Sequence, residues 1–279
     1  MNNSGFWADI NDIISDGFSS EGLAKLDEYA DKFTCGQLLY QRFSPSEQHG
    51  CAAGGHAHVI ASLLAGAKIG SDSIVEGEND FKRQCERGET QARIIEQWAR
   101  TTGCWTDNVE DTLTKLMGEQ IAEGGEAHVY DHGATLIKSI GLDYYIEPIL
   151  ALDRISLHNA YFPETKLFVL GFGRDDQDDF RILVEQQFIE GASMTDEAIA
   201  EFAERIGFKL INPRNWTFAT PEIYLSDLHD ENVIRTKTGG IAVIDCDIRI
   251  NTPELHCGGT RQLTNKVFFD KKLFKIKLQ

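Results

Sequence analysis

The segment Asp227-Leu228-His229-Asp230-Glu231-Asn232, followed thirteen residues after Asn232 by Asp245 at the end of Ile241-Ala242-Val243-Ile244, places a proton acceptor and two oxygen ligands for magnesium in one short stretch. Between them, Val233-Ile234-Arg235, the turn Thr236-Lys237-Thr238-Gly239-Gly240 and the apolar run have the alternation and turn residues of a β-hairpin. Such a hairpin folds Asp245 back beside Asn232. Phosphoryl transfer requires a grouping of this kind, because a loose, highly charged transition state is stabilised mainly by positioned metal ions and an oriented nucleophile. Taken singly, the hexapeptide is equally the pattern of an Asx-rich turn.

Other segments must position these groups. Ile121 to Tyr130 carries the pair Gly124-Gly125 and leads through Asp131-His132-Gly133 into Ala134-Thr135-Leu136-Ile137-Lys138-Ser139-Ile140. This pattern predicts a glycine-bearing hairpin with Lys138 on the return strand, a point charge suited to phosphate oxygens. Arg181 to Gly191 is expected to form a strand running into a glycine-ended linker. A helix is expected from about Pro148 to His158, since proline suits the first helical turn and Ile149, Leu150, Leu152, Ile155 and Leu157 supply apolar positions.

In this order the segments resemble the protein-kinase superfamily. Asp-Leu-His-Asp-Glu-Asn is similar to its catalytic loop, and Asp245 falls where the D-F-G aspartate does. More narrowly, Glu123-Gly124-Gly125-Glu126-Ala127, Leu157-His158-Asn159-Ala160-Tyr161-Phe162-Pro163, Val184 to Ile189 and Ser226-Asp227-Leu228-His229 resemble the kinase domain of phage and bacterial polyvalent proteins, over roughly residues 118 to 250. The resemblance implies ATP and Mg2+. It makes Asp227 the catalytic base or orienting group, Asn232 and Asp245 the metal ligands, and Lys138 the binder of the α- and β-phosphates. Gly124 and Gly125 would cover the phosphates and Val129 would stand at the glycine motif's valine. Backbone groups near Gln187 and Ile189 would meet the adenine edge. For the acid that holds Lys138, Asp153 is favoured over Glu147, which sits at the helix cap. His158 and Asn159 either position the helix end or the lysine, or form a capped structural pair.

Departures from the pattern narrow the reading. Setting Val129 on the motif's valine leaves Ala122, Gly124 and Ala127 at the three glycine positions, and Leu225 replaces the histidine two residues before the catalytic aspartate. D-F-G becomes Asp245-Cys246-Asp247, so Asp247 is either a further metal ligand or a surface acid. Only 34 residues follow Asp245. The expected architecture is therefore α+β, a protein-kinase-like bilobal fold with a short C-lobe. Residues 1–117 are expected to be a mostly helical region, followed by a kinase-like domain at 118–279 divided near residue 190.

Composition bounds the rest. A chain of 279 residues with 42% hydrophobic content buries a full core, and its net charge of −17 disfavours nucleic acid or an anionic membrane as partner. Six cysteines without a C-x-x-C pair, and an N-terminus without signal-peptide character, point to a cytoplasmic protein. Helical apolar spacing is expected over Ser4–Phe18, Gly22–Phe33, Phe81–Ala99 and Thr195–Ile206. His49 to His58 is a small-residue segment suited to close helix packing, Trp105 a structural anchor, and Phe274 to Leu278 an edge strand guarded by lysines. The function implied is an ATP- and Mg-dependent phosphotransferase with a protein hydroxyl or a small molecule as acceptor. The alternative is a nucleotide-binding pseudokinase serving as a regulatory or interaction module of a mobile genetic element.

Overall fold

Helices open the chain: α1 (Asn3–Ser15), α2 (Ser20–Thr34), α3 (Gly55–Ile69) and α4 (Asp80–Thr102). The computed structural model describes residues 3–34, 55–69 and 80–251. The run Ile60 to Ala65 leaves α3 no broad polar stripe, and a helix of that kind is stable only when surrounded. It packs against α1, α2 and α4, with Ile60, Leu63 and Leu64 fully buried. α1 stops short of the expected Phe18 because Gly17 and Phe18 turn the chain with φ of 69° and 62°.

The chain divides into two units, Met1–Ile155 with Leu167–Phe188, and Ser156–Lys166 with Ile189–Gln279. The first unit holds α1 to α4, β1 (Trp105–Asp107), α5 (Val109–Met117), β2 (Ala122–Glu123), β3 (Ala127–His132), β4 (Thr135–Ile140), β5 (Leu167–Arg174) and β6 (Phe180–Gln187). The strands form one sheet in the order β1-β5-β6-β4-β3-β2, with β1 parallel to β5 and the other neighbours antiparallel. Helix α6 (Pro148–Tyr161) contributes its residues up to Ile155 to this unit and the remainder to the second.

Period-2 alternation sorts the sheet's side chains between two cores. Tyr130, Ile137 and Leu183 pack with Val109 and Leu113 of α5. Ile140, Ile182 and Val184 join Ile149, Leu152 and Ile155 of α6 and Trp98 of α4 in the main core. Each such burial contributes about 1.5–3 kcal/mol relative to exposure.

Strand β1 was not evident from the sequence, where residues before 118 carry mainly helical spacing. Its place is made by Gly171 and Gly173 of β5: a Cβ would lie 2.5 Å from the Cys104 carbonyl oxygen at the first and 2.3 Å from that of Thr106 at the second. Trp105 anchors the strand with its indole N–H donating to Asp107 Oδ1 (2.8 Å) and the Arg100 guanidinium over its ring at 4.8 Å.

Gly88 of α4 permits another close approach, since a Cβ there would sit 2.2 Å from the Ile146 carbonyl oxygen. Glycine to alanine inside a helix ordinarily gains about 1 kcal/mol, but forcing a methyl into a filled backbone contact costs about 1–3 kcal/mol. Gly88→Ala is therefore expected to lower the thermal midpoint; a raised midpoint would show that the contact yields freely.

In the second unit, β7 (Gly191–Ser193), β11 (Val233–Thr236) and β12 (Ile241–Val243) form a sheet in the order β12-β11-β7. β8 (Lys209–Asn212), β9 (Thr217–Ala219), β10 (Ile223–Ser226) and β13 (Asp247–Ile250) form another, ordered β13-β10-β9-β8. Helix α7 (Asp196–Arg205) is capped by Thr195, whose side chain accepts from the Ala198 amide. Phe208, Phe218, Leu225, Leu228, Val233, Val243 and Ile248 make the core. The fold is α+β with a helical N-terminal part. The expected strand at Phe274–Leu278 and residues 49–54 of the expected packing segment His49 to His58 lie outside the described residues.

Candidate functional site

The second unit gathers the acid-rich loop and the hairpin. β10 ends at Ser226, and Asp227 follows with φ of 63°, a left-handed conformation that Asp and Asn tolerate better than other non-glycine residues. Such a conformation persists only where neighbours over-determine it. Here Asn232 Nδ2 donates to the Asp227 carbonyl oxygen (2.9 Å) and to its Oδ2 (3.1 Å), and lies 3.0 Å from His229 Nε2. His229 Nε2 is also 3.5 Å from Asp227 Oδ1. The loop closes through the Asn232 and Val233 amides, both donating to the His229 carbonyl.

Leu225 is fully buried and pairs with Ile248 and Phe218, so the place of the usual histidine belongs to the core. Asn232 and His229 supply the loop's internal hydrogen bonds instead. β11 and β12 pair Val233 with Val243, and the Ile244 amide donates to the Asn232 carbonyl at 2.9 Å. That one further rung brings Ile244, the residue before Asp245, against Asn232. Asp245 Oδ1 accepts the Cys246 amide (2.9 Å). Asp247 sits opposite Ser226 on β10, with its Oδ1 2.6 Å from Arg249 Nε and its Oδ2 accepting the Ser226 hydroxyl at 3.3 Å.

Among the described residues no group of three or more His, Cys, Asp or Glu is arranged to hold a metal. The two expected ligands, Asn232 and Asp245, would offer one amide and one carboxylate. Magnesium suits such a set, because it takes few protein oxygens and completes its shell with phosphate and water.

In the first unit the glycine pair lies at the turn between β2 and β3, with the Gly124 amide donating to the Ala127 carbonyl (3.0 Å). A Cβ on Gly125 would meet the Tyr144 hydroxyl at 2.6 Å, so this tyrosine rests on the flap. Glu126 ties the flap down: its carboxylate lies 3.3 Å from Arg154 Nη1 and accepts the Tyr145 hydroxyl at 3.1 Å, while its carbonyl accepts the Gly141 amide. The sequence carried Glu126 within the glycine motif but suggested no role for it. Its partners lie on α6 and the loop before it, where no local pattern points.

Val129 of β3 is directly opposite Lys138 of β4, which in turn faces Val184 of β6. Alternation puts Lys138 on the Ile140 side of the sheet, the side covered by α6, while Ser139 turns the other way and donates to Glu110 (2.9 Å). Lys138 is buried, as is Asp153 of α6. Glu147 is buried for a different purpose: it accepts from Arg87 (2.9 Å) and Gln91 (3.0 Å) of α4. Gln91 also accepts the Ile149 amide, satisfying one of the open N–H groups at the start of α6.

Gln187 ends β6 opposite Thr135 and is exposed; the division between the units falls between Phe188 and the half-buried Ile189. His58 is buried in α3, where desolvation holds its imidazole down at about 4, the state of a neutral core histidine. No helix among the described residues is long and apolar enough to cross a membrane.

Comparison with known proteins returned no matching curated protein and no matching solved structure. A family model did match, over residues 88–252, and its description is a serine/threonine/tyrosine kinase found in polyvalent proteins. The matched stretch spans the glycine flap, Lys138, the acid-rich loop and the Asp245 hairpin, more than half of the chain, and the chain belongs to this kinase family.

Proposed function

We propose that this protein is an ATP- and magnesium-dependent phosphotransferase whose acceptor is a protein hydroxyl or a small molecule. The observations that support the reading are the bonds from Asn232 Nδ2 to Asp227 and the Ile244-to-Asn232 rung, which brings the residue before Asp245 against Asn232. Asp227, exposed at the strand end and oriented by Asn232, accepts or orients the proton of the attacking hydroxyl. Asn232 and Asp245 would hold the ion, which when bound supplies positive charge to the transferring phosphoryl group.

Lys138 binds the α- and β-phosphates under Gly124 and Gly125, beside Val129. Its counter-ion is Asp153: a buried ammonium and a buried carboxylate each demand a charged or hydrogen-bonding partner, and α6 covers the face of β4 on which Lys138 lies. The linker from Gln187 to Ile189 meets the adenine edge through its backbone. Asp247, engaged by Arg249 and Ser226, supports β10 from beside the ion rather than leading its coordination. Among the described residues Cys85, Cys104 and Cys246 lie outside any disulfide, which fits a cytoplasmic protein of this class.

The reduced glycine motif and Leu225 favour the second reading, a nucleotide-binding pseudokinase module of a mobile element. Thermal shift separates the readings. ATP with magnesium is expected to raise the midpoint, by the equivalent of about 2.7 kcal/mol at a hundredfold excess over Kd, and Asp245→Ala to abolish the magnesium-dependent part. Stabilisation without any γ-phosphate transfer, to water, to the protein itself or to added hydroxyl acceptors, supports the pseudokinase. No stabilisation of the parent at all removes both.

A further inference from the structure

Three buried polar side chains in the second unit are not used by the site as described: His158 near the end of α6, Thr165 in the turn Pro163–Thr165, and Cys246 beside Asp245. His158 and Thr165 are each 1% exposed and Cys246 is 0% exposed, so their polar atoms need partners within the protein. The partners determine the direction of each bond. The Thr165 carbonyl can only accept, so His158 Nε2 carries the proton that it receives at 3.0 Å. The other ring nitrogen, Nδ1, therefore presents its lone pair, and the Cys246 thiol donates to it at 3.6 Å. The Thr165 hydroxyl donates to the Val243 carbonyl at 2.6 Å.

Together these bonds grip the chain at Val243 and again at Cys246, on either side of Asp245. The Ile244 amide, bonded to Asn232, holds the middle. We infer that His158 and Thr165 are positioning residues: through Cys246 and the Val243 carbonyl they set the backbone from which Asp245 reaches the magnesium ion. The inference rests on the phosphotransferase reading for its purpose but not for its geometry. Supporting partners of metal ligands typically matter by 10- to 100-fold in affinity or activity.

The experiment compares the full chain with His158→Phe, His158→Gln and Thr165→Val in two measurements. Hydrogen exchange reads the Ile244 and Cys246 amides, and titration with magnesium at fixed ATP reads ion affinity by thermal shift. His158→Phe and Thr165→Val are expected to speed exchange at these two amides roughly tenfold while α7 and β9 keep their protection, and to weaken magnesium at least roughly tenfold with metal-free ATP binding unchanged. His158→Gln, whose amide N–H can still reach the Thr165 carbonyl, is expected to recover most of both. Unchanged exchange in His158→Phe and Thr165→Val overturns the inference whatever the nucleotide does. Faster exchange with unchanged magnesium affinity also overturns it while leaving the phosphotransferase intact. A parent that binds no magnesium–ATP brings down the phosphotransferase reading, and the positioning role with it.

Discussion

Asp227→Asn is expected to lower phosphoryl turnover by roughly 10^2- to 10^4-fold, the range over which a positioned general base acts, while ATP and magnesium bind as in the parent. Asparagine is the informative replacement because the backbone at this position has φ of 63°. Alanine would add conformational strain to the loss of the carboxylate; asparagine tolerates the left-handed region and still accepts the Asn232 amide through its own Oδ1. The loop is thus retained and the proton acceptor removed. Single-turnover release or transfer of the γ-phosphate, set beside magnesium–ATP thermal shift on the same sample, separates the two effects. Turnover within about threefold of the parent would remove Asp227 from the chemistry. Loss of nucleotide stabilisation would instead assign the carboxylate to binding.

Glu147→Ala is expected to produce the largest loss of stability of any change proposed here. Glu147 is 1% exposed and accepts from both Arg87 and Gln91, so its removal leaves a guanidinium and an amide facing a void. Breaking a fully buried pair costs about 3–5 kcal/mol. Arg87 keeps 19% of its side-chain exposure and regains some hydration, which brings the expectation to about 2–4 kcal/mol. At about 2–4 °C per kcal/mol for a body of this size, the midpoint falls by about 5–15 °C. Glu147→Gln, which fills the same volume and keeps an acceptor oxygen for one of the two donors, is expected to fall by less than the alanine variant. Equal effects of the two substitutions would show that the charge and paired acceptors of the carboxylate, not the filled volume, carry the stability. A midpoint unmoved by Glu147→Ala would show that the tie between α4 and α6 is redundant.

The same residue illustrates how far the chain could be read before its tertiary structure was in hand. As a cap residue Glu147 looked merely too early on α6 to hold a lysine. Nothing near it in sequence announces Arg87 and Gln91, which lie 60 and 56 residues away. Locally encoded features were legible. Gly239-Gly240 between two alternating runs specifies the β11–β12 hairpin. Pro148 marks the first residue of α6 and Thr195 caps α7. Each depends on backbone preferences and side-chain periodicity within one or two turns.

By itself, the sequence determined the α+β class, the kinase family and the hairpin that returns the chain to Asn232, because a tight hairpin leaves little choice of register. Only the tertiary structure decided that Gly171 and Gly173 admit a parallel strand from Trp105–Asp107, and that Glu126 is tied to Arg154. It alone decided that His158 meets Cys246 across 88 residues and Thr165 meets Val243 across 78. The physical reason is the same in every case. Local torsional preference and hydrophobic period choose an element and its inward face, but which polar groups confront each other inside is set by long-range closure of the core, where each buried donor must find whatever acceptor the packing brings to it.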